Sequence, residues 1–208
     1  MAGPNEPNPV DPALGPKLLQ APWRMEYLQG LKSDGDAKAG SAGGTSDSPA
    51  SFLGEYWAKP GADEKHHVIV RSGMGMVLLN AYPYSNGHLL VAMGEGRPRL
   101  MDYDLAQRAH LWVLTDVAAD LAEAALSPQG LNIGVNQGRA AGAGVPGHLH
   151  VHVVPRWGGD VNFISVVARV RVIPGSLEAM AERYREAWVR IRERWVGAIG
   201  VDGVGGGR

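Results

Sequence analysis

The apolar positions of the chain fall into two kinds of pattern, and the first kind predicts a sheet. Short apolar or alternating runs, separated by Gly, Pro, Ser and Asn, are typical of strands joined by turns. The first two runs are joined around Ser72 and Gly73, which predicts a hairpin. We predict strands at 67–70, 75–80, 87–91, 131–136 and 148–154.

The second pattern has apolar residues three and four positions apart and predicts two helices. Residues 102–126 carry the first stripe, and Ser127 and Pro128 end it. The second stripe follows Ser176, which is a suitable N-cap. The first stripe consists of Leu105, Ala109, Trp112, Val113, Val117, Leu121 and Ala124. The second consists of Leu177, Met180, Tyr184, Trp188, Ile191 and Trp195.

The order of these elements predicts an α+β domain. Three strands, a helix, two strands and a trailing helix fit an antiparallel sheet of about five strands, with one helix between strands and a long C-terminal helix. The C-terminal stripe is rich in large aromatic residues. Packing on the body of the same chain is the favoured interpretation of this stripe, and a subunit interface is the alternative.

Composition separates a core from its flanking segments. Residues 33–51 are small, polar and glycine-rich, as in a flexible linker, whereas 22–28 hold two aromatic and two long apolar side chains that need a surface to cover them. The predicted segments are a disordered N-terminal segment at 1–20, an arm docking on the core or a partner subunit at 21–32, a flexible linker at 33–60, a core at 61–165, a C-terminal strand and helix region at 166–198, and a disordered tail at 199–208.

Charge and cysteine content exclude several classes of function. The 208 residues carry 20 basic and 21 acidic side chains, so a net charge of −1 gives no strong field to attract nucleic acid or a membrane. Without cysteine, neither disulfides nor thiolate metal sites can form. We see no signal-peptide pattern and no run of about 18 apolar residues, and therefore expect a cytoplasmic protein.

Three histidines stand at every second position of the last predicted strand. Because side chains alternate along a strand, His148, His150 and His152 share one face, while Leu149 and its apolar neighbours face the core. The other histidines at 66, 67 and 110 show no such arrangement. Three imidazoles on one face suit either a zinc site or a nucleophilic site, and the spacing leaves both open.

A glycine-rich loop leads directly into these histidines. Residues 136–147 contain several glycines and a proline, which disfavours a regular element. Such a loop can direct successive backbone N–H groups toward one point and form an anion-binding nest. An anion site beside three imidazoles favours phosphoryl chemistry over a bare metal site.

Several motifs together resemble one family, the histidine triad (HIT) superfamily. Residues 148–154, HLHVHVV, match its signature, and 155–163, PRWGGDVNF, resemble the branch that contains bacterial diadenosine tetraphosphate phosphorylases and related hydrolases. Residues 22–28, PWRMEYL, look like the N-terminal motif of that branch. The resemblance implies a HIT-like fold with its catalytic core at 61–165.

The resemblance also implies a role for each histidine. His150 is the expected nucleophile, which attacks the α-phosphorus of a nucleotide and forms a covalent nucleotidyl-histidine. For this attack one ring nitrogen must be unprotonated, so the other should donate to a backbone carbonyl. His152 is expected to contact the phosphate and the leaving group, and His148 and His88 to orient the array.

The expected substrate contacts come from two asparagines and the loop. By resemblance, Asn80 holds the ribose and Asn136 bonds near the scissile phosphate. The backbone N–H groups of Gly142, Ala143 and Gly144 are expected to stabilise the developing charge. The loop departs from several branches, since residues 144–146, Gly-Val-Pro, offer no polar side chain to the phosphate. The paired-cysteine zinc site of some bacterial members is absent as well.

The resemblance predicts an enzyme that cleaves dinucleoside polyphosphates, with diadenosine tetraphosphate as the first candidate and a slight preference for phosphorolysis over hydrolysis. The alternatives are a nucleoside phosphoramidate or AMP-ester hydrolase, a nucleotide-binding regulatory protein with vestigial activity, and a zinc-binding protein. We expect no metal site and no required cofactor, although a divalent cation can accompany the substrate phosphates. The expected partners are an adenosine polyphosphate, inorganic phosphate and further copies of the chain in a homodimer or larger assembly, without nucleic acid or membrane.

Overall fold

The computed structural model describes residues 51–160 and 175–200. The arm at 21–32, the predicted linker up to residue 50 and most of the tail lie outside these ranges. The strands are β1 (Val68–Arg71), β2 (Gly75–Leu79), β3 (Leu89–Met93), β4 (Gly130–Val135) and β5 (His150–Arg156). The helices are α1 (Phe52–Trp57), α2 (Leu105–Leu126), α3 (Leu177–Ile191) and α4 (Val196–Ile199). Single 3-10 turns occur at Pro60–Ala62, Leu100–Asp102, Arg139–Ala141 and Arg192–Arg194.

The five strands form one antiparallel sheet in the order β1-β2-β3-β5-β4. This arrangement confirms the predicted α+β class, with α2 between strands and α3 after them. One face of the sheet contributes to the main core together with α2, α3 and Ile199 of α4. None of the helices in the described ranges is long and apolar enough to cross a membrane.

The opposite face of the sheet carries a smaller apolar cluster and the histidines. Leu53 of α1 packs there against Leu90 and Ala92 of β3. In the register of β3 with β5, Leu90 lies opposite His152 and Ala92 lies opposite His150. Directly opposite residues of paired strands share a face, so the histidines and α1 lie on the same side of the sheet. Leu149, Val151 and Val153 face the main core, as predicted.

Helix α1 corrects the predicted flexible linker at 33–60. The hydroxyl of Ser51 accepts a hydrogen bond from the Gly54 N–H and caps the helix. Leu53 is completely buried, and the Arg71 guanidinium donates to the carbonyls of Tyr56 and Trp57 at 3.0 Å each. The polar composition of the preceding residues gave no indication of this six-residue helix, which Leu53 and Arg71 hold in place.

The extent of α2 was predicted well, and Val117 and Leu121 are buried as expected, but the N-terminal part of the predicted stripe was wrong. Asp104 caps the helix, yet Leu105 is 75% exposed and Trp112 is 44% exposed. The buried face includes polar residues that find partners: His110 bonds to Ser72 at 2.7 Å, and the Thr115 hydroxyl donates to a carbonyl of its own helix. This face consists of His110, Leu111, Leu114, Thr115, Val117, Ala118, Leu121 and Ala122.

The C-terminal stripe packs on the same chain, which confirms the favoured interpretation. Ser176 caps α3, and Met180, Tyr184 and Ile191 are buried in the main core. Trp188 and Trp195 pack against that core from its margin. Ile199, which was predicted to begin the disordered tail, is 1% exposed and belongs to the core, because α4 turns back against α2.

Candidate active site

Four histidines meet where β5 lies beside β3. His150 and His152 are on β5, His148 directly precedes it, and His88 directly precedes β3. All four side chains are buried in the part of the chain that the structure describes, and their exposed fractions run from 0% for His88 to 8% for His152. The structure therefore brings together the four histidines that the sequence analysis singled out.

His88 is held by the turn that leads into β3. Gly87 has a φ of +74°, and a Cβ at this position would lie 2.3 Å from Leu126 and 2.7 Å from the Tyr184 hydroxyl. The same hydroxyl donates to the Gly87 carbonyl at 2.5 Å. Only glycine fits this conformation and this space. Helix α3 thus fixes the backbone next to His88.

The hydrogen bonds of His88 define the proton position on His152. The Tyr84 backbone N–H, which can only donate, lies 3.1 Å from His88 Nδ1, so Nδ1 is the acceptor and Nε2 carries the proton. His88 Nε2 then donates to His152 Nδ1 at 3.0 Å. His152 consequently carries its own proton on Nε2. It presents a hydrogen-bond donor, as contact with a phosphate or a leaving group requires.

His150 has the opposite tautomer. Its Nδ1 lies 2.9 Å from the His148 carbonyl oxygen, and a carbonyl can only accept. Nδ1 therefore carries the proton, and Nε2 keeps its lone pair. This is the orientation expected for a nucleophilic histidine. The His150 and His152 rings meet edge to face with their centroids 4.8 Å apart, so the lone pair and the N–H donor belong to neighbouring rings.

Burial keeps these rings neutral. Desolvation lowers the pKa of His150 and of His148 below the ordinary value of 6.5. Desolvation, and after it the nearby charge of His150, lowers the pKa of His152 to about 4. At neutral pH each imidazole is unprotonated at one nitrogen, so the tautomers set by the hydrogen bonds are the reactive forms.

Two further residues contact the array and were missed by the sequence analysis. The Tyr84 ring stacks on His152 with a centroid distance of 5.4 Å and lies 4.6 Å from the ring of His88. The Ser51 hydroxyl lies 2.7 Å from His148 Nδ1. Tyr84 could have been found from its position four residues before His88 in a turn. Ser51 lies 97 positions from its partner, and no local pattern indicates that contact.

Asn80 contacts the histidine array within the protein. Its side-chain nitrogen lies 3.2 Å from His88 Nδ1, and its Oδ1 accepts the Tyr82 N–H at 2.9 Å. Both ends of the amide are therefore engaged with the turn before His88. This geometry gives Asn80 a role in fixing His88, whereas the ribose contact implied by the resemblance stays a prediction.

The glycine-rich loop uses part of its N–H groups internally, while the contacts of Gly142, Ala143 and Gly144 with a phosphate stay a prediction. A 3-10 turn at Arg139–Ala141 ends at Gly142, whose φ is +84°. The Gly142 N–H donates to the Arg139 carbonyl at 2.9 Å, and the Ala143 N–H donates to the Gly138 carbonyl at 3.2 Å. The turn closes on itself because a left-handed glycine directs these two groups back into the loop.

The remaining predicted residues lie at the same loop. Asn136 is half-buried, and its Nδ2 lies 3.9 Å from the position that a Cβ on Gly142 would occupy. The amide of Asn136 therefore lies against Gly142. At Gly144 a Cβ would meet nothing within 4 Å, so this part of the loop borders open space.

The geometry favours a nucleophilic site over a three-histidine zinc site. Both ring nitrogens of His148 are used, since Nε2 donates to the Met93 carbonyl at 2.7 Å and Nδ1 bonds to Ser51. The Nε2 of His152 carries a proton, so the lone pair that remains in the triad is that of His150 Nε2. Over 51–160 and 175–200, no group of three or more His, Asp or Glu side chains is arranged to hold a metal ion.

Comparisons with known proteins point to one family. Residues 62–159 match the HIT domain family model, within the core predicted at 61–165. The chain is 36% identical over 174 residues to AP-4-A phosphorylase of Mycobacterium tuberculosis, which covers 83% of this chain and 84% of that protein. It is 33% identical over 89 residues to the asymmetrical bis(5'-nucleosyl)-tetraphosphatase of Schizosaccharomyces pombe, covering 43% of this chain and 48% of that one.

A solved structure shows the same fold. A Zn-bound histidine triad family protein from Mycobacterium smegmatis superimposes with a TM-score of 0.55 at 26% identity. The match covers 67% of this chain and 96% of that protein. The zinc belongs to that protein, and the present chain has no cysteine to offer a metal ion.

Proposed function

The chain belongs to the HIT domain family, and from this premise we propose that it cleaves dinucleoside polyphosphates by transferring a nucleotidyl group to His150. Diadenosine tetraphosphate is the proposed substrate and inorganic phosphate the proposed acceptor. One observation carries the proposal. The His148 carbonyl holds the Nδ1–H of His150, so that a neutral imidazole presents the lone pair of Nε2 on the histidine face.

In the first proposed step, His150 Nε2 attacks the α-phosphorus. The new N–P bond replaces the bond from this phosphorus to its bridging oxygen, and ATP leaves from diadenosine tetraphosphate. His152 Nε2–H donates a hydrogen bond to the oxygen on which negative charge develops. His88 supports this donor, because its own bond keeps the proton of His152 on Nε2.

In the second proposed step, an oxygen of inorganic phosphate attacks the same phosphorus. The N–P bond breaks, its electron pair returns to His150 Nε2, and ADP leaves. Water in place of phosphate would release AMP. Division of one displacement into two is the advantage of covalent catalysis, and both steps use the same imidazole. Similarity over most of the chain to a protein named AP-4-A phosphorylase supports phosphate as the acceptor.

The experiment is product analysis with and without inorganic phosphate. Incubation with diadenosine tetraphosphate and phosphate is expected to yield ADP and ATP, with ³²P from labelled phosphate incorporated into ADP. AMP and ATP in both samples would contradict phosphorolysis and support hydrolysis. Release of AMP from a nucleoside phosphoramidate or an AMP ester, without turnover of the dinucleotide, would support the alternative hydrolase. Binding of AMP without turnover of any of these substrates would support the regulatory alternative.

Three further properties are proposals. A homodimer or larger assembly is supported by β4, an edge strand on which Ile133 is 45% exposed, and light scattering that shows a monomer would contradict it. We propose that no cofactor is required and that any divalent cation binds with the substrate phosphates. Turnover that survives EDTA would support the first part. A cytoplasmic location is the third proposal, to be checked by cell fractionation.

A further inference from the structure

His148 differs from His150 and His152 because, as in His88, neither of its ring nitrogens is left for a substrate. Its Nε2 lies 2.7 Å from the Met93 carbonyl, and its Nδ1 lies 2.7 Å from the Ser51 hydroxyl. The side chain is 1% exposed. A buried ring with both nitrogens bonded holds a position and does not react.

The direction of each proton in this contact follows from the partners. The Met93 carbonyl can only accept, so His148 carries its proton on Nε2 and accepts on Nδ1. The Ser51 hydroxyl must therefore donate to Nδ1. The oxygen of the same hydroxyl accepts the Gly54 N–H at 3.1 Å. Ser51 thus acts as the N-cap acceptor of α1 and as the donor to His148 at the same time.

Helix α1 has anchors of its own, which makes Ser51 a fixed point. Leu53 is buried against the apolar cluster on the histidine face of the sheet. At the other end of the helix, Arg71 donates to two backbone carbonyls and pairs with Asp63. Its guanidinium also lies over the Trp57 ring at 4.9 Å. These contacts hold α1 against the sheet without the Ser51 side chain.

The space around His148 leaves its ring little freedom. A Cβ on Gly96 would lie 2.7 Å from His148 Nδ1 and 3.0 Å from its Cγ. The ring therefore lies directly against the Gly96 backbone, with Ser51 on one nitrogen and Met93 on the other. If the Ser51 hydroxyl is lost, the buried acceptor Nδ1 of His148 is left without its donor. The ring is then expected to shift, or a water molecule to enter beside it.

We propose that Ser51 is a positioning residue for the nucleophile, acting through His148. The chain of contacts runs from the Ser51 hydroxyl to the His148 ring, and from the His148 carbonyl to the Nδ1–H of His150. Movement of residue 148 shifts the carbonyl that fixes the tautomer and the direction of the His150 lone pair. The inference rests on the proposed function, in that it takes His150 as the nucleophile.

Three substitutions at residue 51 separate the donor role from helix capping. Ser51→Thr keeps both roles, since threonine has a hydroxyl and caps helices. Ser51→Asp keeps the cap but offers only acceptor oxygens, and Ser51→Ala removes both. If the donor to His148 matters, kcat falls in the Ala and Asp variants by about tenfold or more with KM little changed, and the Thr variant stays near wild type. If capping alone matters, the Asp variant stays near wild type as well.

A second readout does not depend on turnover. Long-range ¹H–¹⁵N spectra of protein labelled with ¹⁵N-histidine report which ring nitrogen carries each proton. In the Ala and Asp variants we expect the resonances of both His148 Nδ1 and His150 Nε2 to move. In the Thr variant they are expected to stay, and His110, which bonds to Ser72 elsewhere, serves as the internal control.

The two readouts have distinct failures. An Asp variant with wild-type kcat, or an Ala variant in which the His150 resonances do not move, would overturn the role of Ser51. If the wild-type protein turns over no nucleotide, the proposed function fails. The spectra of the four proteins would in that case still decide whether Ser51 holds His148 and the tautomer of His150.

Discussion

The histidine strand and the glycine-rich loop before it are adjacent in sequence, and they differ in how their polar groups are used. On β5 and just before it, both ring nitrogens of His148 and one ring nitrogen each of His150 and His152 are fixed by partners, and the second nitrogens of His150 and His152 remain for chemistry. In the loop at 136–147, the N–H groups of Gly142 and Ala143 bond to carbonyls of the loop itself.

The difference shows what each kind of backbone contributes to a site. A strand paired on both sides cannot change the direction of its side chains, so His150 and His152 are placed by the sheet and oriented by a few added bonds. A glycine-rich turn satisfies its N–H groups with whatever carbonyl is near. The strand therefore carries the groups proposed to react, whereas the N–H groups of Gly142 and Ala143 maintain the conformation of the loop.

The largest expected effect comes from removal of the proposed nucleophile on the strand. His150→Ala should lower kcat by on the order of 10⁴-fold or more, because both proposed steps pass through its Nε2. The check is a single-turnover assay with ³²P-labelled dinucleotide, together with labelling of the protein that is stable to alkali and labile to acid, as expected for an N–P bond. His66→Ala, which removes a histidine that stacks on Tyr56 outside the array, is the matched control and should retain activity. A comparable loss in both variants would point to misfolding.

The second expected effect tests the relay that orients His152. His88→Ala leaves His152 Nδ1 and the Tyr84 N–H without their partner, so kcat should fall by on the order of 10²-fold. The cavity and the unpaired groups should also lower the free energy of unfolding by about 1–3 kcal/mol. Steady-state kinetics and urea denaturation measure the two effects. Full activity in a destabilised His88→Ala protein would show that the relay is structural only.

The third expected effect is a loss of stability in acid. Because burial lowers the pKa of His152 to about 4, the unfolded chain takes up a proton below pH 6.5, whereas the native protein takes it up only near pH 4. Unfolding is thus favoured progressively as the pH falls between these values, by roughly 3 kcal/mol for this residue.

Denaturant titrations at several pH values between 7.5 and 4 measure this window. The lowered pKa values of His148 and His150 act in the same direction. In the His152→Asn variant, one proton fewer should be taken up on unfolding in the same window. The free energy of unfolding should therefore change less steeply with pH. An unchanged slope would assign the acid sensitivity to other groups.

The parts of the fold that follow from periodicity could be predicted from the sequence. Alternation along β5 placed Leu149 in the core and the three histidines on one face, and the three-to-four spacing located α2 and α3. The buried face of α2 was predicted only in part, because Trp112 is large and half-exposed whereas His110 is buried with Ser72 as its partner. The hydrogen-bond partner of a buried polar residue, such as Ser72 for His110, lies far from it in the sequence.

The same distinction holds within the site. A nucleophilic imidazole needs one unprotonated nitrogen, which predicts that the second ring nitrogen of His150 donates its N–H to a carbonyl. The bond from His150 Nδ1 to the His148 carbonyl confirms this prediction. The contact of Ser51 with His148 spans 97 positions and joins a segment of linker-like composition to the array. No composition or spacing rule contains that information, since it depends on where α1 packs on the sheet.

The smallest expected effect sharpens the comparison from the side of the loop. At Gly142 the left-handed φ of +84° disfavours any L side chain, although a Cβ would meet only Asn136 at 3.9 Å. Gly142→Ala should therefore cost about 1 kcal/mol of stability through backbone strain. Its effect on kcat should be a few-fold, because the Gly142 N–H already bonds within the loop.

Gly144→Ala, with open space and no left-handed backbone, is the matched control and should be close to neutral in stability. Thermal denaturation and kcat of the two variants, measured side by side, decide the point. If Gly142→Ala instead lowered kcat as much as His88→Ala does, the loop would have to open on substrate binding and turn its N–H groups to the phosphate, and the distinction between a reactive strand and a conformational loop would be lost.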